Sequence, residues 1–176
     1  LFLGDVNLVQ FETSPDKDKE ILAKARDHFA AVIAAQPKNF VAGNNLAWIL
    51  ATEFNEPERA AEVIDEVRGK ATVEQMPVNF IDTVAVVYRK ANRLEDAQQV
   101  LERANAMYQE NPLLLYQLAV VQHDRKLYTA ARTNLERALQ LGVPEKYKAE
   151  ADRLLNAVKS QISDGETPTS TPVEKP

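Results

Sequence analysis

The sequence predicts an all-α fold, a solenoid of antiparallel helical hairpins stacked one on the next. Three observations predict it. The tetrapeptide Leu-Glu-Arg-Ala occurs at residues 101–104 and again at 135–138, a separation of 34. The surrounding columns keep that separation: Ala97 with Ala131, and Val84-Ala85 with Leu118-Ala119. Within a copy, apolar residues recur at helical spacing, with Leu115, Leu118 and Ala119 on one helix and Ala131, Leu135, Ala138 and Leu139 on its partner. A fixed period of this length means a repeated hairpin that cannot bury its apolar face alone and therefore stacks.

The elements follow in order. Residues 1–39 hold a partial unit. Leu3-Gly4 supplies its small-residue pair and Asn7 lies three positions on. An insertion from 11 to about 19 precedes a second helix carrying Ala25, Phe29 and Val32. The unit 40–77 is longer than the period. Leu46-Ala47 precedes Val84-Ala85 by 38 positions, and Ala60, Ile64 and Val67 precede Ala97, Leu101 and Ala104 by 37. One extra residue is assigned to the loop 53–57 and the others to 69–77. The units 78–111 and 112–144 are regular. Alanines 85, 97, 119 and 131 carry no bulk beyond Cβ, so two helix backbones can approach closely there. Turn signals separate the helices: Ala91-Asn92-Arg93, Asn111-Pro112 and Gly142-Val143-Pro144.

Residues 145–162 predict a capping helix. Tyr147, Ala151, Leu154, Leu155, Val158 and Ile162 form one apolar stripe, and Pro144 suits the start of a helix. Such a helix covers the open apolar face of the last hairpin. Residues 163–176 turn to Ser, Thr, Pro, Glu and Gly with one aliphatic residue, Val173, and are expected to be a disordered tail.

These columns resemble the tetratricopeptide repeat (TPR) family. The unit 78–111 matches the family pattern at Ile81, Val84, Ala85, Tyr88, Ala97, Leu101 and Ala104. The unit 112–144 matches at Leu115, Leu118, Ala119, Ala131, Leu135 and Ala138, with Gln122 in place of the tyrosine. The unit from Phe40 carries Leu46, Ala47, Ala60 and Ile64, with Leu50 for the tyrosine, and the earliest carries Ala25, Phe29 and Pro37. The run Asn-Asn-Leu-Ala-Trp-Ile-Leu-Ala at 44–51, followed by Ile-Asp-Thr-Val-Ala at 81–85, is similar to the C-terminal repeats of TPR lipoproteins in bacterial exosortase and exopolysaccharide systems. That resemblance implies a bacterial envelope setting, with the cytoplasm as the alternative. One TPR subclass clamps the C-terminal carboxylates of chaperones with Lys, Asn and Arg. The matching positions here carry Asn44, Trp48, Thr83, Leu113 and Gln117, so the clamp is lacking.

Composition narrows the function. The chain has 176 residues, 45% of them hydrophobic and 27% charged, as in an ordinary globular protein. It has no cysteine, so thiol chemistry and thiolate metal sites are excluded. A net charge of −5 argues against an electrostatic nucleic-acid footprint. No apolar run approaches membrane-spanning length. The chain opens at Leu1 inside a repeat helix, which reads as a C-terminal piece of a larger bacterial protein. No phosphate loop, dinucleotide fingerprint or zinc-protease motif is present. His123-Asp124 invites a catalytic reading, but neighbours on a helix point about 100° apart and are expected not to face each other. The acidic groups, among them Glu62, Asp65 and Glu66, read as a solvated face. The pairs Arg89-Lys90 and Arg125-Lys126 read as charge at helix C-termini.

The expectation is a non-enzymatic scaffold without cofactor or metal. The resemblance implies a concave groove lined by first helices that holds a peptide or protein partner. The repeat alignment places Asn44, Asn45, Trp48 and Thr52, then Asp82, Val86 and Arg89, then Tyr116, Val120 and His123 on that face. Tyr116 and Asp82 are expected to lie outside the Leu/Ala core columns. Trp48, the only tryptophan, either packs between units or faces the ligand. A structural spacer, a self-associating homo-oligomer and an appendage to an upstream enzyme are the alternatives.

Overall fold

A computed structural model of the protein describes residues 19–165, with no side-chain detail at 164 and 165. The partial first helix around Leu3-Gly4, the insertion after it and the tail from 166 onward lie outside the described residues. The fold is all-α, with eight helices and no strand among the described residues. The chain divides into two compact units, 1–109 and 110–176.

The first unit holds α1 (Lys19–Ala35), α2 (Phe40–Trp48), α3 (Pro57–Arg68), α4 (Val78–Lys90) and α5 (Leu94–Met107). The sequence sets each start. Asn39 caps α2 by accepting from the Ala42 amide at 3.0 Å, and Pro57 opens α3, where a missing amide proton costs nothing. Helix α1 packs on α2, α2 on both α3 and α4, and α4 on α5. The repeat columns are the core: Ala25, Phe29, Ala60, Ile64, Ala97 and Leu101 are all fully buried. The rings of Phe40 and Phe80 meet at 4.9 Å, tilted by 55°, between the starts of α2 and α4.

The irregular lengths have a structural form. Ala47 to Ala60 is one residue longer than Ala85 to Ala97. That residue is absorbed inside the helix, as a π-turn over Ile49–Glu53 directly after α2, rather than in the loop 53–57. The Phe54 amide reaches back to the Ile49 carbonyl at 3.1 Å, closing the wider turn. The surplus at 69–77 forms a 3₁₀ turn, Val73–Gln75, capped reciprocally by Thr72 and Gln75.

The second unit holds α6 (Pro112–Asp124), α7 (Tyr128–Leu141) and α8 (Glu145–Gly165). Asn111 caps α6 by accepting from the Leu113 and Leu114 amides. Gly142, at φ 90°, ends α7 in the left-handed region. The expected capping helix is present and runs three residues beyond 162. Its Ala151 and Val158 are fully buried against Ala131, Leu135 and Ala138.

Within both units the same turn closes the hairpin. Asn55, Asn92 and Lys126 all take φ between 54° and 62°. At the latter two, the following amide bonds five residues back: Arg93 to the Tyr88 carbonyl and Leu127 to the Gln122 carbonyl, both 2.8 Å. Asn92 and Lys126 are 34 positions apart, so the period seen in side chains is also a backbone period.

Candidate partner-binding face

In the first unit, α2 and α4 lie side by side and present their first-helix columns together. On α2, residues 41, 45 and 48 share a face by helical spacing. Val41 is 49% and Trp48 38% exposed, the two most open apolar side chains on that helix. Trp48 thus faces outward enough to meet a ligand. Val41 was missed by the sequence reading; its position seven before Trp48 is the signal that could have found it. Asn45 and Thr52 are half-buried, as are Asp82, Val86 and Arg89 on α4. Asn45, Asp82 and Arg89 are already engaged in polar contacts. The Thr52 hydroxyl donates to the Trp48 carbonyl at 2.8 Å, so it serves the π-turn.

Asn44 has a different task from the one expected. Its Oδ1 accepts from the Thr83 hydroxyl at 2.7 Å, tying α2 to α4, while its Nδ2 donates to Asn45 at 3.2 Å. Thr83 is only 4% exposed, so this bond satisfies a buried hydroxyl.

In the second unit two expected contacts are withdrawn from solvent. Tyr116 is 3% and Val120 6% exposed, and both belong to the core shared with α8. The ring of Tyr147 lies 5.3 Å from that of Tyr116. Tyr116 is therefore a core residue, against the expectation that it stood outside the core columns. The sequence contained the signal: residues 113–116 and 118–121 are apolar, so α6 is apolar on every side, the mark of a buried helix. His123 remains half-buried. Its Nδ1 lies 3.2 Å from Asp124 Oδ1, so the two side chains do meet, against the argument from helical angle. Asp124 is the last residue of α6, where the helix gives way to the turn. The imidazole also lies 5.9 Å from the Tyr128 ring.

A polar network joins α3 to the hairpin after it. Asp65 accepts from the Tyr88 hydroxyl at 2.5 Å and from Arg93 at 2.6 Å, and Arg93 also binds Asp96 at 2.8 Å. The Arg93 guanidinium lies 4.2 Å from the centre of the Tyr88 ring. Burial, then the Asp65 hydrogen bond, pushes the Tyr88 phenol up to about 12. The hydrogen bond to Asp65 raises Arg93 further above the usual guanidinium range. Asp65 is thus a structural partner and not simply part of a solvated face. At the position of Tyr88 in the next hairpin, Gln122 accepts from Asn134 at 2.8 Å.

Among the described residues no group of three His, Asp or Glu side chains is placed to hold a metal ion, and no helix is long and apolar enough to cross a membrane.

No family model matches the chain, and no curated protein matches it. Solved structures do. The crystal structure of MamA aligns with a TM-score of 0.58 at 15% identity, covering 84% of this chain and 92% of that one. The crystal structure of PilW, described as a widely conserved type IV pilus biogenesis factor, aligns with a TM-score of 0.59 at 17% identity, covering 92% and 77%. Both are TPR-like helical-repeat proteins. What the chain shares with them is the fold, an all-α helical repeat of TPR type.

Proposed function

We propose that the chain is a non-enzymatic scaffold that binds a peptide or protein segment on the first-helix face of its first unit. The observation that carries this reading is the half-exposed pair Val41 and Trp48 on α2, with the half-buried Val86 at the repeat position of Trp48 on the neighbouring α4. Aromatic anchors in a partly desolvated setting dominate binding energy at such surfaces. Asn45, Asp82 and Arg89 add half-buried polar side chains, already engaged on the protein, to the same two helices. Tyr116 and Val120 drop out of the surface because α8 covers them. The narrower likeness to exosortase and exopolysaccharide lipoproteins rests on the runs 44–51 and 81–85 alone, and with it the envelope setting.

Trp48 tests the reading directly. It is the only tryptophan, so its emission reports this face without labelling. Partners retained by the intact chain should shift that emission, and Trp48→Ala should lose them while circular dichroism stays unchanged. Retention of every partner at unchanged affinity by Trp48→Ala transfers the case to the spacer reading.

A further inference from the structure

We propose that the edge of the first unit at residues 68–75 is a second docking site, one for an acidic peptide segment. Among the described residues this is where the chain departs most from its own period: the stretch 69–77 holds residues that the regular hairpins lack. The added chain opens two adjoining clefts of about 290 Å³ each, and Arg68, Lys70 and Ala71 line both. Arg103 borders one cleft and Lys38 the other. Four cations therefore converge on one loop of a chain whose net charge is −5.

Arg68 is within hydrogen-bonding reach of the Tyr88 hydroxyl, which also binds Asp65, but little on the protein neutralises the other three. Glu74 approaches Arg103 only at 3.9 Å, with both side chains well exposed. Its carboxyl is held below the usual range by the Thr72 hydroxyl first, and Thr72 and Gln75 complete each other in the cap. Lys38 and Lys70 form no ion pair among the described residues. The clefts are not purely polar. Val73 and Val100 line the first, and Phe40 and Val67 the second. Val67, Val73 and Val100 are at most 2% exposed, so the cations at the rim carry the recognition, and they fit an extended ligand with several acidic side chains. A free phosphate would fill neither cleft, and no ring of buried donors is present to hold one. Charge of one sign lining a cleft also steers an oppositely charged partner toward it.

The test uses the full chain and a fluorescein-labelled peptide, Ala-Glu-Leu-Glu-Val-Glu-Leu, with its Gln-for-Glu counterpart, by anisotropy at low salt. The acidic peptide should bind, and its neutral counterpart at least about tenfold more weakly. Lys70→Glu with Arg103→Glu should weaken the acidic peptide by about tenfold or more, whereas Lys148→Glu on α8 should leave it unchanged. Backbone amide resonances of residues 69–72 in the parent should move on titration, a readout independent of how the variants fold. Trp48 emission should not change, which separates this site from the first-helix face. The proposal is overturned by absent binding, by equal affinity for the neutral peptide or by the double variant. It is equally overturned by unmoved amides at 69–72, by a Trp48 shift, or by displacement with inorganic phosphate at the peptide's own concentration.

Discussion

Gly43 is a tightly packed position in the first unit. It occupies the column that carries Ile81 and Leu115 in the later hairpins, 38 and then 34 positions on. A Cβ at Gly43 would lie 2.8 Å from both γ-carbons of Val67 and 3.1 Å from its β-carbon. Both γ-methyls are blocked, so rotation about χ1 gives no relief, and a β-branched side chain in a helix has one favoured rotamer in any case. Gly43→Ala sets two effects against each other. Helix propensity favours alanine by about 1 kcal/mol. Overpacking costs about 2 kcal/mol, so the variant should lose about 1 kcal/mol net. Val67→Ala alone removes two buried methyls and should lose about 2 kcal/mol, cavity included. Together the changes should cost about 1 kcal/mol rather than the sum of about 3, because the new methyl occupies the vacated space, a coupling of about 2 kcal/mol. Urea unfolding followed by helical circular dichroism and by Trp48 emission measures all four proteins. Additivity to within about 0.5 kcal/mol would show that α2 and α3 are not in contact at this point.

Lys126 takes the left-handed turn position that asparagine fills at 55 and 92, so Lys126→Asn should stabilise by about 0.5 kcal/mol, read as a raised urea midpoint; an unchanged or lowered midpoint counts against a shared turn geometry. Deleting residues 145–176 should lower the melting temperature far more than deleting 166–176, since α8 buries Ala151, Val158 and the Tyr116 ring; equal losses refute the capping role. The Tyr88 phenol, raised from 10.0 to about 12, is neutral in the fold over a range where the unfolded chain ionises. Its contribution is complete below about pH 10 and is lost as pH rises toward 12. Ultraviolet titration should find one late-ionising tyrosine, moved lower by Asp65→Asn; no late tyrosine in the parent would contradict the network.

The fold was legible because hairpin stacking is a local matter written into small residues. Ala60, Ala97 and Ala131 are fully buried at the spacings read from the sequence, and the caps at Asn39 and Asn111 carry their own chemistry. The candidate site was legible only in part. Columns aligned across hairpins share a backbone position but not a neighbour. Trp48, Val86 and Val120 share one column, yet Trp48 is open and Val120 closed, because α8 packs over the last hairpin. The contact between Asn44 and Thr83 joins residues 39 apart and has no signature in spacing. The Asp65, Tyr88 and Arg93 network likewise depends on which carboxylate the stacking brings within reach.

The π-turn at Ile49–Glu53 has a bearing on how such a chain can change over generations. A residue gained inside a helix ordinarily rotates everything after it by about 100°, which would turn the next apolar face away from its neighbour. Here the wider turn takes up the surplus before α3 begins, and Ala60 still lands in the same buried column as Ala97 and Ala131. A length change that would scramble a rigid repeat is thereby confined to one turn. Deleting a single residue from 49–53 would restore the spacing of the sister hairpins, Ala85 to Ala97 and Ala119 to Ala131, in one step.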